Sequence, residues 1–164
     1  MFREMRRKAQ RLPAREAEEL LAQGTSGVLA LLGDEDYPYA VPMSYVYLPG
    51  RIYFHSAAAG HKVDAVKKHG KASFCVIVQD EVKPEALTTH FRSVIAFGKI
   101  RIVEDESEKR EALVQLALRY SPSHMEAARR EIKESMDHMH LFALEIEHLT
   151  GKEARELMQK RSAQ

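Results

Sequence analysis

The chain has 164 residues, 45% of them hydrophobic and 30% charged, with a formal net charge of +1. That length suits one domain over residues 1–164 with a real core, since a chain of this size buries roughly 70% of its unfolded surface. The near-neutral balance argues against bulk electrostatic binding of nucleic acid or an anionic membrane. No run approaches the ~20 apolar residues of a membrane span, and one cysteine rules out an intrachain disulfide. The composition reads as cytoplasmic.

The N-terminal arm, residues 1–11, carries Arg3, Arg6, Arg7, Lys8 and Arg11 against Glu4 alone. It lacks the apolar segment of a secretory signal, and its charges have no aromatic interleaving to suggest a nucleic-acid tail. It reads as a surface arm lying on the globule or on a partner subunit. Pro13 to Gln23 predicts a short helix with Pro at its start and Gly24 past its end. Ser26 to Leu32 predicts a strand, and Gly33-Asp34-Glu35-Asp36 the polar turn of a hairpin. Tyr39 to Leu48 and Arg51 to Ser56 follow as strands across a Pro-Gly turn. A short helix then opens at Gly60-His61-Lys62.

Lys71 to Gln79 predicts the next strand, with Cys75 in an apolar run as a buried thiol. His90 to Val103 is long enough to bend, and Gly98 is a candidate bulge. Asp105 with Glu108 forms an acidic capping box ahead of a stripe of Ala112, Leu113, Leu116, Ala117 and Tyr120. Ser121-Pro122 breaks that helix, and a second follows with Met125, Ala128 and Ile132 on one face. Met139 to His148 returns as a strand, and Thr150 to Glu153 is expected to cap a last helix carrying Ala154, Leu157 and Met158. Six strands with mostly short links and peripheral helices predict an α+β domain built on a closed antiparallel sheet. The links are too short for the crossovers of a parallel sheet.

Residues 37–66 carry the chemistry. Two strands make a flat wall, and a helix start with a lysine beside it makes an anion site. A phosphorylated flat cofactor suits both. Against this, Lys62 also reads as a solvated helix lysine, and Pro42 as a plain edge-strand breaker. Eight histidines raise the question of a metal. His138 and His140 can share a strand face, but His55, His61, His69 and His90 are scattered and no zinc-type spacing is present. No metal is expected.

Y-P-Y-A-V-P at 37–42, I-Y-F-H-S-A-x-x-G-x-K at 52–62 and F-R-S-V-I-x-F-G-K at 91–99 occur in that order. Together they resemble the pyridoxamine 5′-phosphate oxidase-like, FMN-binding split barrels. Within these, the chain is most similar to the Nim group, named for resistance to 5-nitroimidazole antibiotics. Relatives often carry a cysteine shortly before the third motif, where this chain has Glu85-Ala86-Leu87.

The resemblance implies a six-stranded split β-barrel, FMN as cofactor, and a homodimer with the cofactor at the subunit interface. It implies cofactor contacts from Val41, Pro42, Met43, Ser44, His55, Ser56, Ala57, His61, Lys62, Arg92 and Ser93. The backbone of Val41 to Ser44 would face the flavin edge, and Lys62 and Ser56 the phosphate. Adjacent strand residues point to opposite faces, so Arg92 and Ser93 do not both reach one ligand from a regular strand. Ser93 is the one expected near the flavin, and Arg92 either joins it or pairs with a surface carboxylate. His55 is the candidate proton donor, with a plain hydrogen-bonded strand-end histidine as the other reading. The implied activity is reduction of a small nitroaromatic or nitroimidazole-type substrate. Two alternatives are a pyridoxamine-phosphate-type oxidase and a non-catalytic flavin- or haem-related binding protein.

Overall fold

The computed structural model describes residues 1–162. Helix α1 (Ala14–Gln23) is followed by strands β1 (Ser26–Leu32), β2 (Pro38–Ser44), β3 (Val46–Leu48) and β4 (Arg51–Ala57). Helix α2 (His61–Lys68) leads to the long strands β5 (Lys71–Lys83) and β6 (Thr88–Ile102). Helices α3 (Glu106–Tyr120) and α4 (Met125–Ser135) precede β7 (Met139–Glu153) and α5 (Arg155–Ser162). Every ladder is antiparallel, in the order β2-β1-β5-β6-β7-β4-β3.

The two ends of that order, β2 and β3, are neighbours in sequence with only Tyr45 between them. The expected single strand over 39–48 therefore divides at Tyr45, which makes seven strands rather than six. Its first part pairs with β1 and its second with β4. One buried residue thus joins the two edges of the sheet and closes the barrel. Tyr45 is held there by its own hydroxyl, which donates to the Leu21 carbonyl at 2.5 Å. Burial pushes that hydroxyl's pKa far above the ordinary value.

Inward residues of the strands form the core, with Leu29, Ile52, Phe54, Phe74, Val76, Val94, Phe142 and Leu144 buried together. Helix α2 covers one end of it with Val63, Ala65 and Val66. A second cluster lies on the opposite face of β3, β4 and β7, where α3 and α4 pack Ala112, Leu113, Leu116 and Ile132 against Val46, Tyr53, Leu141 and Ala143.

Gly98 sits at a break in the β6–β7 register, as its candidate role as a bulge requires. A Cβ there would lie 1.9 Å from the Glu145 carbonyl oxygen, so the close strand approach needs glycine. Half of the expected capping box forms: the Asp105 carboxylate accepts from the Glu108 amide at 2.7 Å. The Glu108 carboxylate turns instead to Arg101 and Tyr53.

Two further expectations need correction. Thr150 to Lys152 do not cap the last helix but continue β7, opposite Ile95, Val94 and Ser93. Cys75 is half-buried on the outward face of β5, while Phe74 and Val76 fill the core. The basic arm does lie on the globule. Arg11 bridges to Lys152, the Leu12 amide donates to Gly151 at 3.0 Å, and Phe2 stacks on His148 with centroids 4.7 Å apart. Among the described residues, no helix is long and apolar enough to cross a membrane.

Candidate functional site

The split begins at Tyr45. Below it, β3 and β4 form a hairpin, with Val46 opposite Tyr53. Above it, β2 swings away to β1 while β4 continues against β7 alone. The edge of β2 from Val41 to Ser44 and the edge of β4 from Phe54 to Ala57 are therefore both free of a neighbouring strand, and they diverge from one corner. Helix α2 joins their far ends. His61 stacks on Tyr39 of β2, with ring centroids 4.0 Å apart and 16° between planes. Its Nε2 also lies 3.5 Å from Asp34 Oδ2, which ties the β1–β2 turn to the start of the helix.

The start of α2 is open. Gly60 holds φ at +122°, a value that favours glycine, and no side chain caps the helix. The amides of Val63 and Asp64 bond to the Gly60 carbonyl at 2.9 and 3.2 Å. The His61 and Lys62 amides come too early in the helix to have an intrahelical partner. With the half-buried Lys62 they make a positive corner suited to an oxyanion.

The rim of β2, Tyr45, β4 and α2 collects most of the residues expected from sequence. Pro42, Ser44, His55, Ala57 and His61 are exposed, and Val41 and Lys62 are half-buried. Met43 is buried in the core, so it offers the rim only its backbone. Ser56 is 5% exposed and faces inward, while His55 points outward. Strand alternation therefore persists to the end of β4.

Arg92 and Ser93 lie elsewhere. They belong to β6, which is separated from β2 by β1 and β5. Arg92 shares the inward side of β6 with Val94 and Ala96, and its Nε donates to Glu153 Oε2 at 3.3 Å. Glu153 is fully buried rather than on the surface, and it also accepts from Arg161 Nε at 2.9 Å. Ser93 is on the outward side, between Ile77 of β5 and Lys152 of β7.

That outward side is a broad apolar wall that the sequence reading missed. Pro42, Val28, Cys75, Ile95 and Thr150 form one cross-strand row, and Ala40, Ala30, Ser73, Phe97 and His148 form the next. Ile77 is 66% exposed, and Val28, Ile95 and Phe97 are exposed beside it. A depression of about 310 Å³ lies on the wall, lined by Ser26, Gly27, Val28, Pro42, Cys75 and Ile77. Burial raises the Cys75 thiol pKa, so this cysteine is not an activated nucleophile. A sequence signal was available: apolar residues on both faces of strands 26–32 and 73–78 mark strands covered on both sides. Helices α3 and α4 cover the outer face of β3, β4 and β7. Among the described residues, no cluster of three or more potential metal-ligating side chains is present.

The family model for pyridoxamine 5′-phosphate oxidase matches residues 13–153. No curated protein matches the chain significantly. Among solved structures, the fold is shared with a Bacteroides thetaiotaomicron protein provisionally assigned to 5-nitroimidazole antibiotic resistance. That likeness has 21% identity and a TM-score of 0.70, covering 87% of this chain and 85% of the other. A conserved hypothetical protein from Mycobacterium tuberculosis is similar at 18% identity and a TM-score of 0.80, covering 94% and 92%. An FAD- and haem-binding protein from Mycobacterium smegmatis is similar at 19% identity and a TM-score of 0.77, covering 89% and 74%. The match from the first helix to the end of β7 and the split antiparallel barrel agree: the chain belongs to the pyridoxamine 5′-phosphate oxidase family.

Proposed function

We propose that the chain binds FMN on the rim between β2, β4 and α2 and reduces small nitroaromatic substrates of the nitroimidazole type. One observation carries this reading: the stack of His61 on Tyr39 brings the uncapped start of α2, with Lys62 beside it, to the strand whose edge is free. The rim fits a phosphorylated flat ring. Free backbone groups along the β2 edge between Val41 and Ser44 suit the polar edge of a flavin, and the α2 start with Lys62 suits its phosphate. Bound flavin supplies hydride chemistry, which no side chain can provide.

The protein's own part is to bind, orient and protonate. Lys62 fixes the phosphate as a point charge. His55 stands outward on β4 beside the rim, where an imidazole can give a proton to a substrate gaining electrons. Arg92 and Ser93 are remote from the rim of their own chain, which supports a site completed by a second copy. In that reading the apolar wall bearing Ser93 is the dimer face. The alternative of a flavin- or haem-binding protein without turnover draws support from the fold shared with the M. smegmatis protein.

The decisive experiment is titration of the purified chain with FMN, FAD and haem, followed by single-turnover oxidation of the reduced protein with a nitroimidazole. FMN should bind with fluorescence quenching and thermal stabilisation, and Lys62→Ala should weaken it. Absence of both signals at saturating FMN overturns the reading. Binding without oxidation by any acceptor favours the non-catalytic alternative.

A further inference from the structure

We infer that the cleft between the N-terminal arm and α5 binds a small organic phosphate monoester. The cleft has a volume of about 400 Å³ and is lined by Arg7, Lys8, Ala9, Gln10, Arg155 and Met158. Sites for small ligands run from about 300 Å³ upward.

Its two walls are fixed separately. The arm makes a tight turn at Lys8–Gln10 and is then tied to β7 by the Arg11–Lys152 bridge and by the Leu12 amide on Gly151. Helix α5 leaves the end of β7 and is held by Arg161 on the buried Glu153. Strand β7 meets the arm at Lys152, and at Met139 it meets Ala57, the last residue of β4 before the turn into α2. The cleft and the rim thus attach to opposite ends of β7.

Gln10 indicates what fills the cleft. It is 7% exposed, and Arg7 Nη1 donates to its Oε1 at 3.5 Å, which leaves its amide N–H groups without a partner among the described residues. No fully sealed side-chain nitrogen there lacks a partner, so this amide reaches solvent, and it does so through the cleft that the residue lines. A donor fixed in this way takes an acceptor without first having to be ordered. Among the described residues, Arg7 and Arg155 have no carboxylate partner, and no acidic side chain lines the cleft. Lys8 pairs with Glu4, but at 75% and 74% exposure that pair is weak. A fixed donor and three cations from two elements call for an acceptor-rich anion. A phosphate monoester offers three acceptor oxygens and about two negative charges, and arginine forks match its geometry. Ala9 and Met158 give the organic part an apolar surface.

The test is calorimetric titration of the purified chain with phenyl phosphate, benzoate and inorganic phosphate. Phenyl phosphate should bind, and the other two about tenfold more weakly or not at all. Arg155→Met keeps the aliphatic stem, and Gln10→Glu keeps the shape and the Arg7 contact. Each should weaken phenyl phosphate about tenfold or more. Lys62→Ala, on the rim, should leave that affinity unchanged, so the result does not depend on the FMN reading. Absence of binding at millimolar phenyl phosphate would overturn the inference, as would a loss seen in Lys62→Ala but not in Arg155→Met. Equal affinity for inorganic phosphate would reduce the cleft to a counter-ion site and overturn it too. Should Gln10→Glu fail to fold, the exposed Arg155 decides alone.

Discussion

The backbone N–H of Tyr45 donates to the hydroxyl of Tyr120 at 2.9 Å. The same hydroxyl lies 2.7 Å from the Tyr45 carbonyl and beside that of Thr25, to one of which it donates. The last turn of α3 therefore grips the one residue at which the barrel changes edge. Arg119 extends the grip, with its Nη2 donating to Gln23 and Gly24 at 2.7 and 2.6 Å. Ser44 is the next residue along, so the orientation of the β2 edge is set from a helix some 75 residues distant in sequence.

Tyr120→Phe should accordingly destabilise the fold by about 1–3 kcal/mol, because it leaves the Tyr45 amide without an acceptor. Urea unfolding should show a lower midpoint with an unchanged slope. An unchanged midpoint would mean that water replaces the hydroxyl and that the grip contributes nothing.

Glu153 is the buried anchor of the chain's C-terminal helix. It receives Arg92 from β6 and Arg161 from α5, and Arg161 also reaches Glu16 of α1 at 3.1 Å. Both guanidiniums keep partial access to water, at 35% and 29% exposure, which lowers the penalty for stranding them. Glu153→Gln should cost about 1–3 kcal/mol, below the cost of breaking a wholly buried pair. Glu4→Gln removes the highly exposed partner of Lys8 and should change the midpoint hardly at all.

Glu108 gives the fold an acid-sensitive contact. Burial alone would raise its pKa, but hydrogen bonds from Arg101 at 2.7 and 3.0 Å and from Tyr53 at 2.9 Å outweigh burial and hold it below the ordinary 4.5. A depressed folded pKa means stability that is present above 4.5 and lost as pH falls through the folded value. Glu108→Gln should therefore flatten the acid limb of the stability–pH curve below about pH 4.5 while lowering stability at neutral pH. Parallel acid limbs in the two proteins would exclude this contact from acid unfolding.

Local signals made much of this fold legible. Ser26–Leu32, the Gly60 helix start and the Gly98 bulge all follow from alternation or glycine placement. The division at Tyr45 was not legible, because a strand that changes partners keeps its alternating pattern and only the partners differ. The outer half of the β5–β6 hairpin was hidden for another reason. Beyond Gln79, where the expected strand ended, Asp80 and Glu81 are polar and exposed on both faces, so they show no period of two. Thr150-Gly151-Lys152-Glu153 imitates a capping box, yet its backbone is taken by Ile95, Val94, Ser93 and Arg92 across the ladder. Rim residues close in sequence were readable as one group. The separation of Arg92 and Ser93 from them depends on ladder order, which a single sequence does not display.

A second copy of the chain should cover the wall formed by Val28, Ile77, Ile95 and Phe97. These side chains are exposed together on adjacent strands, a cluster that soluble monomers seldom leave bare. Sedimentation at micromolar concentration should report twice the chain mass of 18.7 kDa. Ile77→Glu should shift it to the monomer by burying a charge at the interface, and FMN affinity should fall with the dimer. A wild-type monomer that binds FMN fully would overturn the shared site.

His55 should matter to turnover more than to cofactor affinity. It points outward from the free edge of β4, next to Ser56 but on the opposite side of the strand from it. A phosphate held at the start of α2 by Lys62, with Ser56 on the inward side, would leave the His55 ring for the substrate. Proton donation from a placed imidazole is typically worth about 10²–10⁴-fold in rate. His55→Ala should therefore retain FMN while oxidation of the reduced protein by a nitroimidazole slows by roughly that factor. Single-turnover absorbance traces beside an FMN titration of the same variant separate the two roles. Unchanged traces would remove His55 from the mechanism, and a lost titration would make it a cofactor ligand.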